Sequence, residues 1–288
     1  MQNSTTPTLG GTRWHSVLEY KYYPIHQIMR KFISLFLPCN ALAFSVHVLG
    51  DWGRRGQFSQ VEIADKMRSI PHDAVISVGD NFYPDGLQTN QDKQIHESWL
   101  DIYSPDKPWY VALGNHDYHG NVQAQIDIDN PYWNMPDKVY SFNIQNHTFV
   151  VLDSTVMDEF QLNYADSLLE QAGKYKWIVC HHPIVTAGWH HDVNRNYQDD
   201  MVTLYRKHNV NAIISGHDHT LQYLEWNGVR QIISGAGSST YYVQYPQEGL
   251  NFFGANPGFV NMIFSEESVR VKFYSSTVEL YSVYIPLA

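Results

Sequence analysis

The chain has 288 residues, 43% of them hydrophobic and 14% aromatic, with 19 Lys and Arg against 29 Asp and Glu for a formal net charge of -10. That length and apolar content suffice for one layered α/β domain of about 245 residues, and the acidic balance argues against wrapping of nucleic acid, which needs clustered Lys and Arg. Two cysteines, Cys39 and Cys180, are too few for the thiolate cage of a structural zinc or an iron–sulfur centre.

In chain order, Met29-Arg30-Lys31, the apolar run 32–37 and Ala41-Leu42-Ala43 supply a basic n-region, a short h-region and a small-x-small cleavage pattern. Residues 29–43 therefore read as a secretion signal beginning at an internal methionine, residues 1–28 as an upstream extension and residues 44–288 as the folded domain. The apolar run is too short to span a membrane as a helix. Cleavage after Ala43 would remove Cys39 and leave Cys180 without a disulfide partner. Five short apolar runs follow, at 46–49, 74–78, 109–113, 177–179 and 210–214, with the character of buried strands. Helix-like stretches at 57–70, 92–103, 164–172 and 197–208 lie between them and read as crossovers covering the sheets. Segments 139–144 and 148–152 form an expected hairpin, and 221–226 and 229–234 flank the strong turn Asn227-Gly228. Alternating runs at 259–264, 269–274 and 278–285 are expected to close a second sheet. The fold class is α/β, a four-layer α/β/β/α sandwich of two mixed sheets.

Each of the five runs leads, through Gly or Cys, into residues that bind metals: Asp51, Asp80, Asn115-His116, His181-His182 and His217-Asp218-His219. Strands that end together bring their following loops to one sheet edge, so these residues can meet in one crevice. Carboxylates and an amide oxygen suit hard cations, and imidazoles suit iron, zinc or manganese. The candidate ligands outnumber the needs of one ion, which implies two ions roughly 3.5 Å apart, an arrangement that mostly cleaves phosphate esters.

Asp51, Gly79-Asp80-Asn81-Phe82-Tyr83, Gly114-Asn115-His116-Asp117, Ile178-Val179-Cys180-His181 and Gly216-His217-Asp218-His219 together resemble the five-block signature of metallophosphoesterases in its purple acid phosphatase form. Tyr83 selects this branch, because Ser/Thr phosphatases and nucleases of the superfamily carry an Asp there and a His two residues after the first Asp. The resemblance covers about residues 44–275 and is nearest to the small tartrate-resistant acid phosphatases. The mammalian members carry an extra loop and a disulfide between the third and fourth blocks; this chain is shorter there, over 154–171.

What the resemblance implies is specific. A ferric ion would be held by Asp51, Asp80, Tyr83 and His219, and a divalent ion (Fe, Zn or Mn) by Asp80 as the bridge with Asn115, His181 and His217. His181 is taken over its neighbour His182 because it stands two residues before Pro183. His116 and His190 match positions that touch the phosphate and donate a proton. The expected function is a secreted, periplasmic or lysosomal-type acid phosphatase that hydrolyses phosphate monoesters by attack of a ferric-bound hydroxide. Its partners would be small phosphate monoesters and phosphoproteins, with no nucleic acid, no membrane and a monomeric state. A phosphodiesterase or nucleotide-sugar hydrolase with the same site, or a non-catalytic or redox iron protein, is the alternative.

Overall fold

A computed structural model describes residues 43–287, so the expected extension 1–28, Cys39 and all but the last residue of the expected signal 29–43 lie outside the described residues. The domain begins with β1 (Phe44–Leu49), α1 (Gln60–Arg68) and β2 (Ala74–Val78). A π-helical stretch, Ile95–Leu100, runs into α2 (Asp101–Tyr103) ahead of β3 (Trp109–Ala112), and α3 (Val122–Ile126) leads to β4 (Trp133–Asn134). Next come β5 (Tyr140–Ile144), β6 (His147–Val151), α4 (Glu159–Gln171), β7 (Tyr175–Val179), α5 (Arg195–His208) and β8 (Ala212–Ser215). The last strands are β9 (Leu221–Trp226), β10 (Val229–Ser234), β11 (Leu250–Gly254), β12 (Gly258–Phe264), β13 (Ser268–Ser275) and β14 (Glu279–Pro286).

Two seven-stranded sheets result, in the orders β14-β13-β12-β1-β2-β3-β4 and β11-β9-β10-β8-β7-β6-β5. Both are mixed: β1 to β4 run parallel while β12 is antiparallel to β1, and β6, β7, β8 and β10 run parallel while β5 and β9 are antiparallel to their neighbours. Inward faces meet in an apolar core that includes Val46, Val48, Val78, Phe149, Trp177 and Phe264, and each such side chain contributes about 1.5–3 kcal/mol by leaving water. On the outer face of the first sheet α1 packs Ile63, Ala64 and Met67 against an aromatic layer of Trp52, Trp99, Trp109 and Trp133. The other outer face takes Ala165 and Leu169 of α4 with Met201 and Leu204 of α5. This is the expected four-layer sandwich.

Local chemistry sets the helix ends. α4 starts well before the expected position 164 because the Asp158 carboxylate accepts the Gln161 N–H at 2.8 Å. Asn194 caps α5 by accepting from Asn196 N–H and Tyr197 N–H at 3.0 and 3.2 Å. Arg206, Lys207 and His208 complement the negative end of the α5 dipole.

One expectation is corrected. The runs at 259–264, 269–274 and 278–285 are strands, but they extend the first sheet: β12 pairs with β1 in the register Val48↔Val260 and Val46↔Met262, and carries β13 and β14 outward. Alternation fixes which face of a strand is buried and not which free edge it joins. The second sheet is closed instead by β11, where only Gly254 is fully buried and no alternation shows.

Candidate metal centre

The loops after β1, β2, β3, β7 and β8 converge at one end of the sandwich, and backbone hydrogen bonds stitch the two sheets there. Gly50 N–H donates to Ser234 O at 2.8 Å and Gly237 N–H to Gly50 O at 3.0 Å, while within the first sheet Asp51 N–H donates to Gly79 O at 3.0 Å. To turn back toward the crevice at once, Asp51, Asp80 and His217 adopt left-handed backbone with φ of 60°, 52° and 66°. Such conformations cost roughly 1–3 kcal/mol each in non-glycine residues and gather at functional sites. Packing is so tight that a Cβ on Gly216 would lie 2.6 Å from Asp51 Oδ2, and one on Gly114 would overlap Asp80.

Two clusters of donor atoms form. In the first, the Tyr83 hydroxyl lies 2.7 Å from Asp80 Oδ2, 3.0 Å from Asp51 Oδ1 and 3.1 Å from His219 Nε2. In the second, His181 Nε2 lies 3.2 Å from Asn115 Oδ1, 3.2 Å from His217 Nδ1 and 3.4 Å from Asp80 Oδ1. Asp80 thus gives one oxygen to each. His181 Nδ1–H donates to Val78 O at 2.8 Å, which leaves the Nε2 lone pair for the second cluster. The donor chemistry fits metals: two carboxylates, a phenol and an imidazole make a hard, anionic set, while an amide oxygen, two imidazoles and a shared carboxylate suit a divalent ion.

Electrostatics inside the protein follow from burial. Burial opposes the Asp80 carboxylate, yet His181, the Tyr83 hydroxyl and His116 together hold its pKa below the usual range. Burial, then Asp51 and Asp80, push the Tyr83 phenol well above its ordinary value. Burial and the surrounding imidazoles keep His217 neutral.

The expected proton donors are brought to the same place. His116 N–H donates to Asp80 Oδ1 at 2.8 Å and its Nδ1–H to Pro84 O at 2.7 Å, with its ring 4.4 Å from that of Tyr83. The His190 ring lies 4.0 Å from the His217 ring, and the His190 backbone N–H donates to Asp218 Oδ1 at 3.2 Å. His182 packs 4.3 Å from His217 with Nδ1 at 2.9 Å from Ser154 Oγ; ring nitrogens of His181, His182 and His217 lie within 4.8 Å of one another. A cavity of about 650 Å³ opens beside His182, His190 and His217.

The sequence reading assigned no role to three contributors. Buried Asp117 accepts from Gly114 N–H, Asn81 N–H and the Gln125 amide at 2.9, 3.0 and 2.8 Å, and burial beside Asp80 raises its pKa to about 7. Buried Asp218 accepts from the Thr186 hydroxyl and from His190 N–H. Both stand inside quoted blocks, so their position was a signal that metal ligation overshadowed. Arg54 left no signal: its guanidinium lies 3.6 Å from the centre of the Tyr83 ring, with Nε donating to Ser238 Oγ at 3.0 Å.

Comparison with known proteins agrees with this geometry. Residues 44–221 match the Calcineurin-like phosphoesterase family. The chain is 32% identical to Purple acid phosphatase 3 of Arabidopsis thaliana over 79% of its own length and 73% of that protein's. It is 31% identical to Tartrate-resistant acid phosphatase type 5 of Rattus norvegicus over 72% of its length and 76% of the relative's. A solved structure described as GAP50, the anchor in the inner membrane complex of Plasmodium, superposes with a TM-score of 0.78 at 23% identity, covering 86% of this chain and 90% of that one, and shares the fold. Matched along most of its length to proteins of one kind, with two donor clusters sharing Asp80, the chain belongs to the purple acid phosphatase family and is a metal-dependent phosphatase.

Proposed function

We propose that residues 44–288 are the catalytic domain of a secreted acid phosphatase that hydrolyses phosphate monoesters at a centre of Fe(III) and a divalent iron, zinc or manganese ion. The observation that carries this reading is the division of the Asp80 carboxylate between two adjoining sets of donors, at 2.7 Å from the Tyr83 hydroxyl and 3.4 Å from His181 Nε2. In it, Asp51, Asp80, Tyr83 and His219 hold the ferric ion, and Asp80, Asn115, His181 and His217 the divalent one. When bound, the pair would supply Lewis-acid activation of water and neutralise charge on the phosphate.

The chain's own residues do the rest. His116 has Nδ1 engaged by the Pro84 carbonyl, so Nε2 is the nitrogen that carries a proton to the departing alkoxide. His190, against the His217 ring, contacts the phosphate. Asn115 is neutral, so the second set of donors carries less negative charge than a carboxylate there would give. Small phosphate monoesters and phosphoproteins are the substrates of this reading, and a monomer is its working unit. No helix among the described residues is long and apolar enough to cross a membrane.

The test is turnover of 4-nitrophenyl phosphate by the full chain in mild acid, inhibited by molybdate and faster than turnover of bis(4-nitrophenyl) phosphate. A faster diester reaction would favour the phosphodiesterase alternative, and metal binding without turnover of any ester the non-catalytic one. Secretion rests on the pattern of residues 29–43, and terminal sequencing of exported protein should begin near Phe44.

A further inference from the structure

The wall of the cavity of about 650 Å³ carries two unlike groups of residues. One is His182, His190 and His217, the histidines beside the candidate metal centre. The other is Trp189, Asp192, Asp200, Met157 and Val193, and no Lys or Arg lines any part of the cavity. Trp189 is 54% exposed, so an aromatic face is available to a ligand. Asp200 has no ion-pair partner among the described residues, and Asp192 has only His191 Nε2 at 3.8 Å. The hydroxyl of Thr155, also in the wall, is buried without a hydrogen-bond partner.

Resting on the monoesterase reading, we infer that this cavity holds the alcohol part of the substrate and selects phosphate esters of ammonium alcohols, above all quaternary ones. A trimethylammonium group has a broad methyl shell and a diffuse positive charge. It gains from an aromatic face, from apolar side chains such as Met157 and Val193, and from carboxylates that need not release tightly held water. A leaving group with further phosphates would meet two carboxylates and no cation at the same place, which works against it. In the reaction, the bond between phosphorus and the alcohol oxygen breaks and water oxygen bonds to phosphorus. The alcohol oxygen takes a proton, so the products are inorganic phosphate and the free amino alcohol.

The test uses the full-chain, metal-loaded protein and two esters of one shape: phosphocholine and 3,3-dimethylbutyl phosphate, its uncharged carbon analogue. At low salt kcat/KM should favour phosphocholine by about tenfold or more. That ratio should fall toward one in an Asp192→Asn, Asp200→Asn double variant. Equal kcat/KM for the two esters in the unmodified protein, with both turned over, overturns the inference and leaves the phosphatase reading standing. Turnover of neither ester, nor of 4-nitrophenyl phosphate, is the failure of the phosphatase reading instead. Saturation-transfer NMR on the choline methyl protons then judges the cavity alone: transfer that the double variant abolishes supports the inference, and no transfer to choline overturns it.

Discussion

Asp80 sits where a single neutralisation affects both donor clusters, because its two oxygens serve different neighbours. Asp80→Asn keeps the volume and removes the shared anion, so metal analysis should show less than two ions per chain and turnover should fall by several orders of magnitude; two retained metals with near-normal rate would contradict the bridging role. Arg54 makes a subtler prediction. Its guanidinium lies 3.6 Å from the centre of the Tyr83 ring, and in the proposed ferric site a cation there would stabilise the ring electrons that a tyrosinate-to-iron transition must move. If the proposed ferric ion is bound by Tyr83, Arg54→Met should therefore shift the resulting visible band to longer wavelength, while Tyr83→Phe should abolish it; an unmoved band in the Arg54 variant would separate that side chain from the phenol's electronics. That Asp51, Asp80, Asn115, His181, His217 and His219 meet in one crevice was legible in the sequence, because each directly follows, or nearly follows, a strand-like run. Arg54, Asp117 and Asp218 were not, because what they do depends on partners that only the folded chain supplies: the Tyr83 ring, the Gly114 amide and the Thr186 hydroxyl.

The glycines that precede the metal-binding residues are shaped by contact between loops. Gly114 faces Asp80 so closely that an added methyl group cannot fit. Gly114→Ala should leave far-ultraviolet circular dichroism near normal, since it follows β3, but reduce metal content, as Asp80 is pushed from its place. Full metal content would show that the loop yields more easily than its packing implies. Strands were readable as elements, and the hairpin around Asn227-Gly228 falls at its expected place with both turn residues at positive φ, 49° and 78°. Two things were not readable. The edge chosen by β12 depends on the open side of β1, and the stretch at 92–103 widens into a π-helical turn over Ile95–Leu100, with Trp99 buried in the aromatic layer.

For the molecule as a whole, acid carries a cost that the fold's own interior sets. His47 and His147 are buried in β1 and β6, and burial, aided by His72 in the first case, lowers their pKa from 6.5 to about 3 and about 4. A histidine depressed in the folded state takes up its proton more readily when unfolded, so stability is intact above the unfolded value and falls as pH drops toward the folded one. At pH 5 each should cost about 2 kcal/mol. Urea midpoints of the metal-free protein should thus decline between neutral pH and pH 5, with a shallower decline in His47→Gln; identical slopes would mean that His47 does not titrate differently on unfolding.

Both donor clusters span the two sheets. Asp51, Asp80 and Tyr83 follow strands of the first sheet and His219 a strand of the second, while Asp80 and Asn115 meet His181 and His217 across the same seam. Neither half of the sandwich can assemble such a set alone, so the site exists only after the sheets have docked. Metal is therefore expected to bind late in the life of the chain and to act as a latch on a structure already formed. Refolding rates should be indifferent to added iron and zinc, whereas unfolding should slow as metal is supplied. Faster refolding with metal would mean instead that the ions help the two halves find each other.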